Sequence, residues 1–262
     1  MQVKNEQSQE ELIKELKHQI DELSASKLVL EEQLARKEQF TAMIAHELRG
    51  PLTPIISYAQ MIGRAKNRPE LIERNTKIII SQAQRSARLV NDLLDASRLS
   101  TGQFKLVTAS CDAVSLVREV VEQLRPVAPY HHFELHLPDE PVIGNWDGGR
   151  IQQALGNLLD NAVKYSDPNT VVTITLIKQA ESIYFSVHNQ GASIPSDETS
   201  QLFRPYVRLQ GTIHRQGSGL GLYITKSIIE AHGGSLRLEP NNLEGQGTTF
   251  SFELPFVNNT TI

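Results

Sequence analysis

The chain has 262 residues, enough for one large domain or two ordinary ones, and a formal net charge of −4 from 26 basic and 30 acidic residues. So balanced a charge supplies neither an acidic tail nor the cationic field that would make nucleic acid a default partner. The apolar runs, such as "KIIIS" and "VVTITLI", fall far short of the roughly 20 residues of a membrane span, and no apolar signal core follows Met1, so a cytoplasmic protein is expected.

From residue 10 to about 39, Ile13, Leu16, Ile20, Leu23, Leu30 and Leu34 fall at heptad positions a and d, with Lys27 and Lys37 as polar interruptions. So narrow a stripe predicts a coiled coil, and hence a homodimer, rather than a lone amphipathic surface helix. Residues 1–39 are assigned to it. The same register carries Ile44 to d and Leu48 to a, which puts His46 of "AHELRGPLTP" at f, away from the seam. That placement argues against an ordinary core histidine. Gly50 and Pro51 beside it predict a kink, since proline removes the bond to the Glu47 carbonyl and costs about 3 kcal/mol in a helix interior.

After "GRAKNRPE", with Asn67 as cap and Pro69 in the first turn, a second helical pattern runs to about residue 99. Ile72, Ile79, Ala83, Val90 and Leu93 line one face, widened by Ile80, Ala87 and Leu94. Two long helices joined by a short turn make a hairpin, and two hairpins make an all-α dimeric four-helix bundle; this region is set at 40–101.

Residues 102–262 alternate strand and helix signals. "FKLVT" predicts a strand, "CDAVSLVREVVEQLRPV" a helix capped by Asp112, and "HFELHL" a strand. "DGGRIQQALGNLLDNAVKYS" predicts a helix, "VVTITLIKQ" and "SIYFSVH" paired strands, "GLGLYITKSIIEAHGG" a helix closed by glycines, and "GTTFSFELP" a last strand. The expected fold is an α/β sandwich, a mixed sheet with helices on one face. The patternless stretch from 189 to about 217 is longer than compact domains usually allow without a function. Cys111, the only cysteine, has no disulfide partner and reads as structural.

Within the helix near 150–165, Asn157 and Asn161 lie four residues apart, with Lys164 and Tyr165 extending their face. Two amide oxygens and an ammonium suit a magnesium nucleotide, because magnesium keeps its waters and shares phosphate oxygens. Taken alone, the two asparagines are as easily solvated surface residues. "GSGLGLYITK" changes that balance: Gly217, Gly219 and Gly221 lead into a helix and can bring backbone N–H groups and a helix N-terminus against phosphates.

Together these stretches resemble the histidine protein kinases of two-component signalling, whose ATP-binding domain is of the GHKL type shared with DNA gyrase. The resemblance covers nearly everything from 38 to 256. "AHELRGPL" resembles the phosphoacceptor box, "NLLDNAVKYS" the asparagine box, "HNQGASIP" the first glycine box, "LFRPYVR" the phenylalanine box, and "GSGLGL" and "GQGTTF" the second and third glycine boxes. It implies autophosphorylation of His46 from magnesium-bound ATP and transfer to an aspartate of a response regulator receiver domain, under control of an upstream sensor domain or protein.

Carried over residue by residue, it makes His46 the nucleophile and Glu47 the group that orients its ring. Asn157 and Asn161 would handle magnesium and, with Lys164, the phosphates. Tyr165 would lie near the nucleotide, with Asn189, Gly191, Gly217, Gly219, Leu220 and Gly221 around it and Arg208 reaching the terminal phosphate. His188, His214 and His232 are expected to be lining or structural residues.

Three departures sharpen the expectation. Gyrase-like ATPases carry a water-activating glutamate where this chain has Asn157, so transfer to a protein nucleophile fits better than ATP hydrolysis. The first glycine box usually opens with an aspartate for the adenine amino group, where this chain has Asn189; weakened ATP binding is expected, and a catalytically weak or inactive dimeric scaffold is the alternative. Gly50 stands where the family's phosphatases place threonine or asparagine, so phosphatase activity is expected to be weak.

Overall fold

Strong helix formers (Glu, Gln, Lys, Leu, Ala) dominate the N-terminal third and build α1, Gln2–Arg64, which is 63 residues long. The computed structural model of the chain describes residues 2–64, 68–195, 198–207, 218–240 and 247–256. α1 passes without interruption through the expected 39/40 junction and through Pro51 and Pro54. Just past the Gly-Pro step, Thr53 Oγ1 donates to the Arg49 carbonyl at 3.0 Å. α2, Pro69–Ser100, opens on proline, where the missing N–H breaks no helical bond. Asn67, its expected cap, lies outside the described residues.

In the single chain the seam residues Leu16, Ile20, Leu23, Leu30 and Leu34 are exposed. A row of leucines facing water is unstable by itself and needs a partner surface. The chain divides into two compact units, Met1–Ala83 and Gln84–Ile262, so the tail of α2 folds with the second.

The second unit is built on a five-stranded mixed sheet in the order β2-β4-β5-β7-β6. Its strands are β2 (His132–His136), β4 (Val171–Lys178), β5 (Ser182–Asn189), β6 (Ser235–Leu238) and β7 (Thr248–Pro255). β2 runs parallel to β4 and the other pairs are antiparallel. A separate ribbon pairs β1 (Ala109–Asp112) with β3 (Ile143–Trp146). Alternation along the strands turns Val172, Ile174, Ile183, Phe185, Phe252 and Leu254 to one face, where they share a core with three helices. These are α3 (Ala113–Leu124), α4 (Gly148–Tyr165) and α5 (Gly221–Ala231). Phe185 and Phe252, cross-strand partners, stack at 4.8 Å between ring centroids.

Asp112 caps α3 as expected, accepting from Val114 N and Ser115 N. Asp147 caps α4 and also joins segments far apart in sequence. Its Oδ1 accepts from Arg150 N at 3.1 Å and its Oδ2 from Val107 N at 2.8 Å, while its own N–H donates to His232 Nε2 at 2.9 Å. This last bond sets the tautomer of buried His232: Nε2 accepts, so Nδ1 carries the proton and donates to the Ile228 carbonyl at 2.8 Å. Burial holds its pKa below the ordinary histidine value. The residue is structural, one of the two roles expected for it.

The strand expected over "FKLVT" does not form. Residues 104–108 are irregular, the Val107 N–H goes to a side chain instead of a ladder, and β1 begins at Ala109. Cys111 accordingly lies in β1 rather than at a helix start, with burial raising its thiol pKa.

Candidate functional site

The motifs converge on the C-terminal half of α4, whose buried face (Ile151, Ala154, Leu155, Leu158, Leu159, Ala162) is pressed into the core. That packing leaves the intervening positions, Asn157, Asn161, Lys164 and Tyr165, half-buried at the edge of the core.

Midway along this helix Asn157 meets the second glycine box. Its Nδ2 donates to the Gly221 carbonyl at 3.2 Å and to Thr225 Oγ1 at 3.5 Å. With both contacts made by the amide nitrogen, the oxygen Oδ1 is the atom left to face a ligand. Gly221 begins α5 and Leu220, its N-cap, is fully buried, fixing where the helix N-terminus lies. Gly219 has φ +68°, and a Cβ there would stand 3.0 Å from the Val207 carbonyl, so the tight approach of this loop requires glycine. Its carbonyl accepts from Tyr206 N at 3.0 Å, and Tyr206 is itself held at φ +67°. The phenylalanine box is thereby tied to the second glycine box through strained backbone, a feature no residue pattern announced.

At the C-terminal end, the first and third glycine boxes meet the last turn of α4. Gly191 forms a bridge with Ser166, and the Asp167 N–H donates to the Gln190 carbonyl at 2.9 Å. A Cβ on Gly191 would lie 2.2 Å from the Tyr165 carbonyl oxygen, so no other residue can occupy that position without moving backbone. Ser193 Oγ donates to the Gly247 carbonyl and Thr248 Oγ1 to the Ala192 carbonyl, each at 3.3 Å. Gly247 and Thr248 thus complete this end of the site. Their motif is visible in the sequence, but neither residue stands out within it.

Asn189 closes β5 in register with Thr248 and Val172. It continues the inward row of Ile183, Phe185 and Val187 and is only 3% exposed. Its Nδ2 has no hydrogen-bond partner among the described residues. A buried amide nitrogen without a partner costs about 1–3 kcal/mol and is the mark of a position waiting for a ligand or water.

The Lys164 ammonium sits 4.9 Å from the centroid of the Tyr165 ring. His188 faces the opposite side of the sheet from Asn189, with Nδ1 2.9 Å from Thr249 Oγ1, and its burial lowers its pKa. Arg208, Gly217 and His214 lie outside the described residues. His46 and Glu47 stand in α1, in the other compact unit, and the side chain of His46 is outside the described set. Among the described residues no helix is long and apolar enough to cross a membrane.

The tail of α2 packs on the opposite end of α4. Asp95, almost fully buried, accepts from Arg150 Nη1 at 2.5 Å and from Gln153 Nε2 at 2.9 Å, and the Arg150 guanidinium lies over the Phe104 ring.

Residues 36–102 match the His Kinase A phospho-acceptor domain, and residues 146–258 match the histidine kinase-, DNA gyrase B- and HSP90-like ATPase domain. The sensor histidine kinase TrcS of Mycobacterium tuberculosis is 37% identical over 229 residues, 85% of this chain and 44% of that protein. WalK of Bacillus subtilis is 31% identical over 226 residues, 84% of this chain and 37% of that protein. The chain therefore spans less than half the length of these curated relatives. Among solved structures, histidine kinase ThkA in complex with response regulator protein TrrA aligns with a TM-score of 0.59 at 26% identity, covering 87% of this chain and 64% of that one. The chain belongs to the histidine kinases, joining a phospho-acceptor region to an ATPase domain of the kind found in DNA gyrase B and HSP90.

Proposed function

We propose that this chain phosphorylates itself on His46 from ATP and passes the phosphoryl group to an aspartate of a response regulator. The observation that carries the reading is Asn157. Its amide nitrogen is engaged by Gly221 and Thr225, which leaves the oxygen as a neutral acceptor for a metal ion at the point where a hydrolase needs a carboxylate base. Without that base, water is a poor nucleophile and a histidine of the same dimer is a good one. ThkA, which shares this fold, forms a complex with a response regulator, and that supports a receiver domain as the partner.

The unpartnered Nδ2 of Asn189 and the Gly191 and Gly219 approaches fit a purine beside the last turn of α4 and phosphates beside its middle. Asn157 and Asn161 would hold magnesium, which would supply positive charge against the phosphates. Lys164 and Arg208 would meet the remaining charge, with Tyr165 and Leu220 against the nucleotide. In the transfer, the Nε2 lone pair of neutral His46 forms the N–P bond as the bond to the bridging oxygen of ADP breaks. Nδ1 keeps its proton, and Glu47 accepts a hydrogen bond from it as positive charge develops on the ring.

The exposed leucine stripe of α1 supports a coiled-coil homodimer. An upstream sensor domain or protein would act through it.

Incubation with γ-labelled ATP and magnesium should leave acid-labile, alkali-stable label on the protein, absent in His46→Gln. Stable nucleotide binding without label would instead favour a dimeric scaffold, a reading motivated by the aspartate-to-asparagine change at Asn189. Free phosphate without labelled protein would indicate an ATPase.

A further inference from the structure

We propose that Asn189 makes the base pocket tolerant of 6-oxopurine nucleoside triphosphates as well as ATP. The inference rests on the nucleotide-binding reading above and concerns only the base end of that site.

Asn189 lies at the end of β5, on the helix-covered face, beside the Ser166–Gly191 bridge and opposite Thr248. At 3% exposure its side chain cannot exchange partners freely with solvent, so a base docked against it must satisfy it or leave it unsatisfied. The absence of any partner for Nδ2 means that no internal bond from this nitrogen pins the amide in one orientation.

The chemistry follows from the donor inventory. A carboxylate at this position is acceptor-only, so it accepts a hydrogen bond from the 6-amino group of adenine and opposes the O6 of hypoxanthine or guanine with two facing acceptors. An amide carries one acceptor and one donor. With Oδ1 toward position 6 it accepts from the adenine amino group, and Nδ2 can donate to N1. Turned over by 180°, Nδ2 donates to O6 and Oδ1 accepts from N1–H. Both purine edges engage the amide oxygen and one of its N–H groups, and the side chain lacks the charge that would have rejected one of them. Selectivity based on buried hydrogen bonding is strong only when the wrong ligand leaves more groups unpaired than the right one, and here the two leave the amide equally paired.

The test is calorimetric titration of the full 262-residue chain with ATP and with ITP in magnesium buffer. ITP carries the 6-oxo, N1–H edge without the 2-amino group of guanine. The two dissociation constants should lie within tenfold in the wild type, and Asn189→Asp should widen the preference for ATP by at least a further tenfold. Asn189→Leu, nearly isosteric and unable to hydrogen-bond, should weaken both nucleotides alike and covers the case of a poorly folded aspartate variant.

A wild-type preference for ATP of a hundredfold or more would overturn the proposal. So would an unchanged ratio in Asn189→Asp, or unaltered affinities in Asn189→Leu. Binding of both nucleotides without any label on His46 would overturn the kinase reading and leave this one standing. Failure to bind any nucleotide would overturn both.

Discussion

Arg150, in the first turn of α4, donates through Nη1 to Oδ2 of Asp95 near the end of α2 at 2.5 Å, joining the helix of the asparagine box to the tail of the phospho-acceptor hairpin. The Asp95 side chain is 6% exposed and that of Arg150 is 23%. Removing one partner of such a pair leaves a charge in a poorly solvated place, which costs more than the pair contributes when intact.

Asp95→Ala should therefore destabilise the second unit by about 2 kcal/mol, a figure lowered for the partial exposure of Arg150. Asp95→Asn, which can still accept from Arg150 and Gln153, should cost less. Urea unfolding followed by circular dichroism reads both. A loss under about 0.5 kcal/mol for the alanine variant would place the pair among surface bridges of little consequence.

One helical turn before Asp95, Asp92 has its pKa raised to about 6, first by burial and then by the Asp95 charge, with Asp160 adding to it and Arg88 and a hydrogen bond from Gln153 opposing. The native carboxyl therefore holds its proton to higher pH than the unfolded chain, where aspartate titrates near about 3.9. Its contribution to stability is fully present below about pH 4 and is lost as pH rises through 6. Asp92→Asn mimics the protonated form. It should stabilise the protein at pH 7.5, by on the order of 2 kcal/mol, and change little at pH 4. Equal effects at both pH values would show that the substitution acts through packing instead.

The two ends of α4 differ in how far the sequence announced them. That Asn157 would lie beside the second glycine box was legible, because backbone approach and amide chemistry demand particular residue types at particular spacings, whereas Asn189 was named through the resemblance alone. The role of Gly191 could be expected as nucleotide binding, whereas the structure also gives it a packing role against the Tyr165 carbonyl. The clamp of Arg150, Asp95 and Gln153 carried no such signal, since its members are 55 and 58 residues apart in pairs and each is an ordinary polar residue on a helix. β3 and β6 escaped because four-residue strands containing Gly-Asn, or following Gly-Gly, lack a period long enough to see. "FKLVT" shows the reverse error: the apolar alternation is present, but Asp147 takes the Val107 N–H and no ladder forms.

Gly191→Ala follows from that packing. A Cβ 2.2 Å from a carbonyl oxygen cannot be absorbed by a side-chain rotation, so the Ser166–Gly191 bridge must open. Affinity for ATP should fall at least tenfold, equivalent to about 1.4 kcal/mol, while α1 and the first part of α2, in the other unit, keep their helical signal. Calorimetric titration with ATP checks the first outcome and circular dichroism the second. Undiminished affinity would show that the base end of the site does not depend on this bridge.

Gly50 offers the opposite situation, since a Cβ added there meets nothing within 4 Å. Space is therefore not the reason for glycine, and an added side chain should improve α1, where glycine costs about 1 kcal/mol relative to alanine. What glycine lacks is a polar group three residues after Glu47, at the place where phosphatases of this kinase family position water. The native chain should dephosphorylate a phosphorylated cognate regulator no faster than the regulator loses phosphate unaided. Gly50→Asn should raise that rate several-fold in the presence of ADP and leave His46 labelling from ATP in place. A native rate clearly above regulator autohydrolysis would mean that another residue positions the water, and glycine at this point would then say nothing about the balance between the two activities.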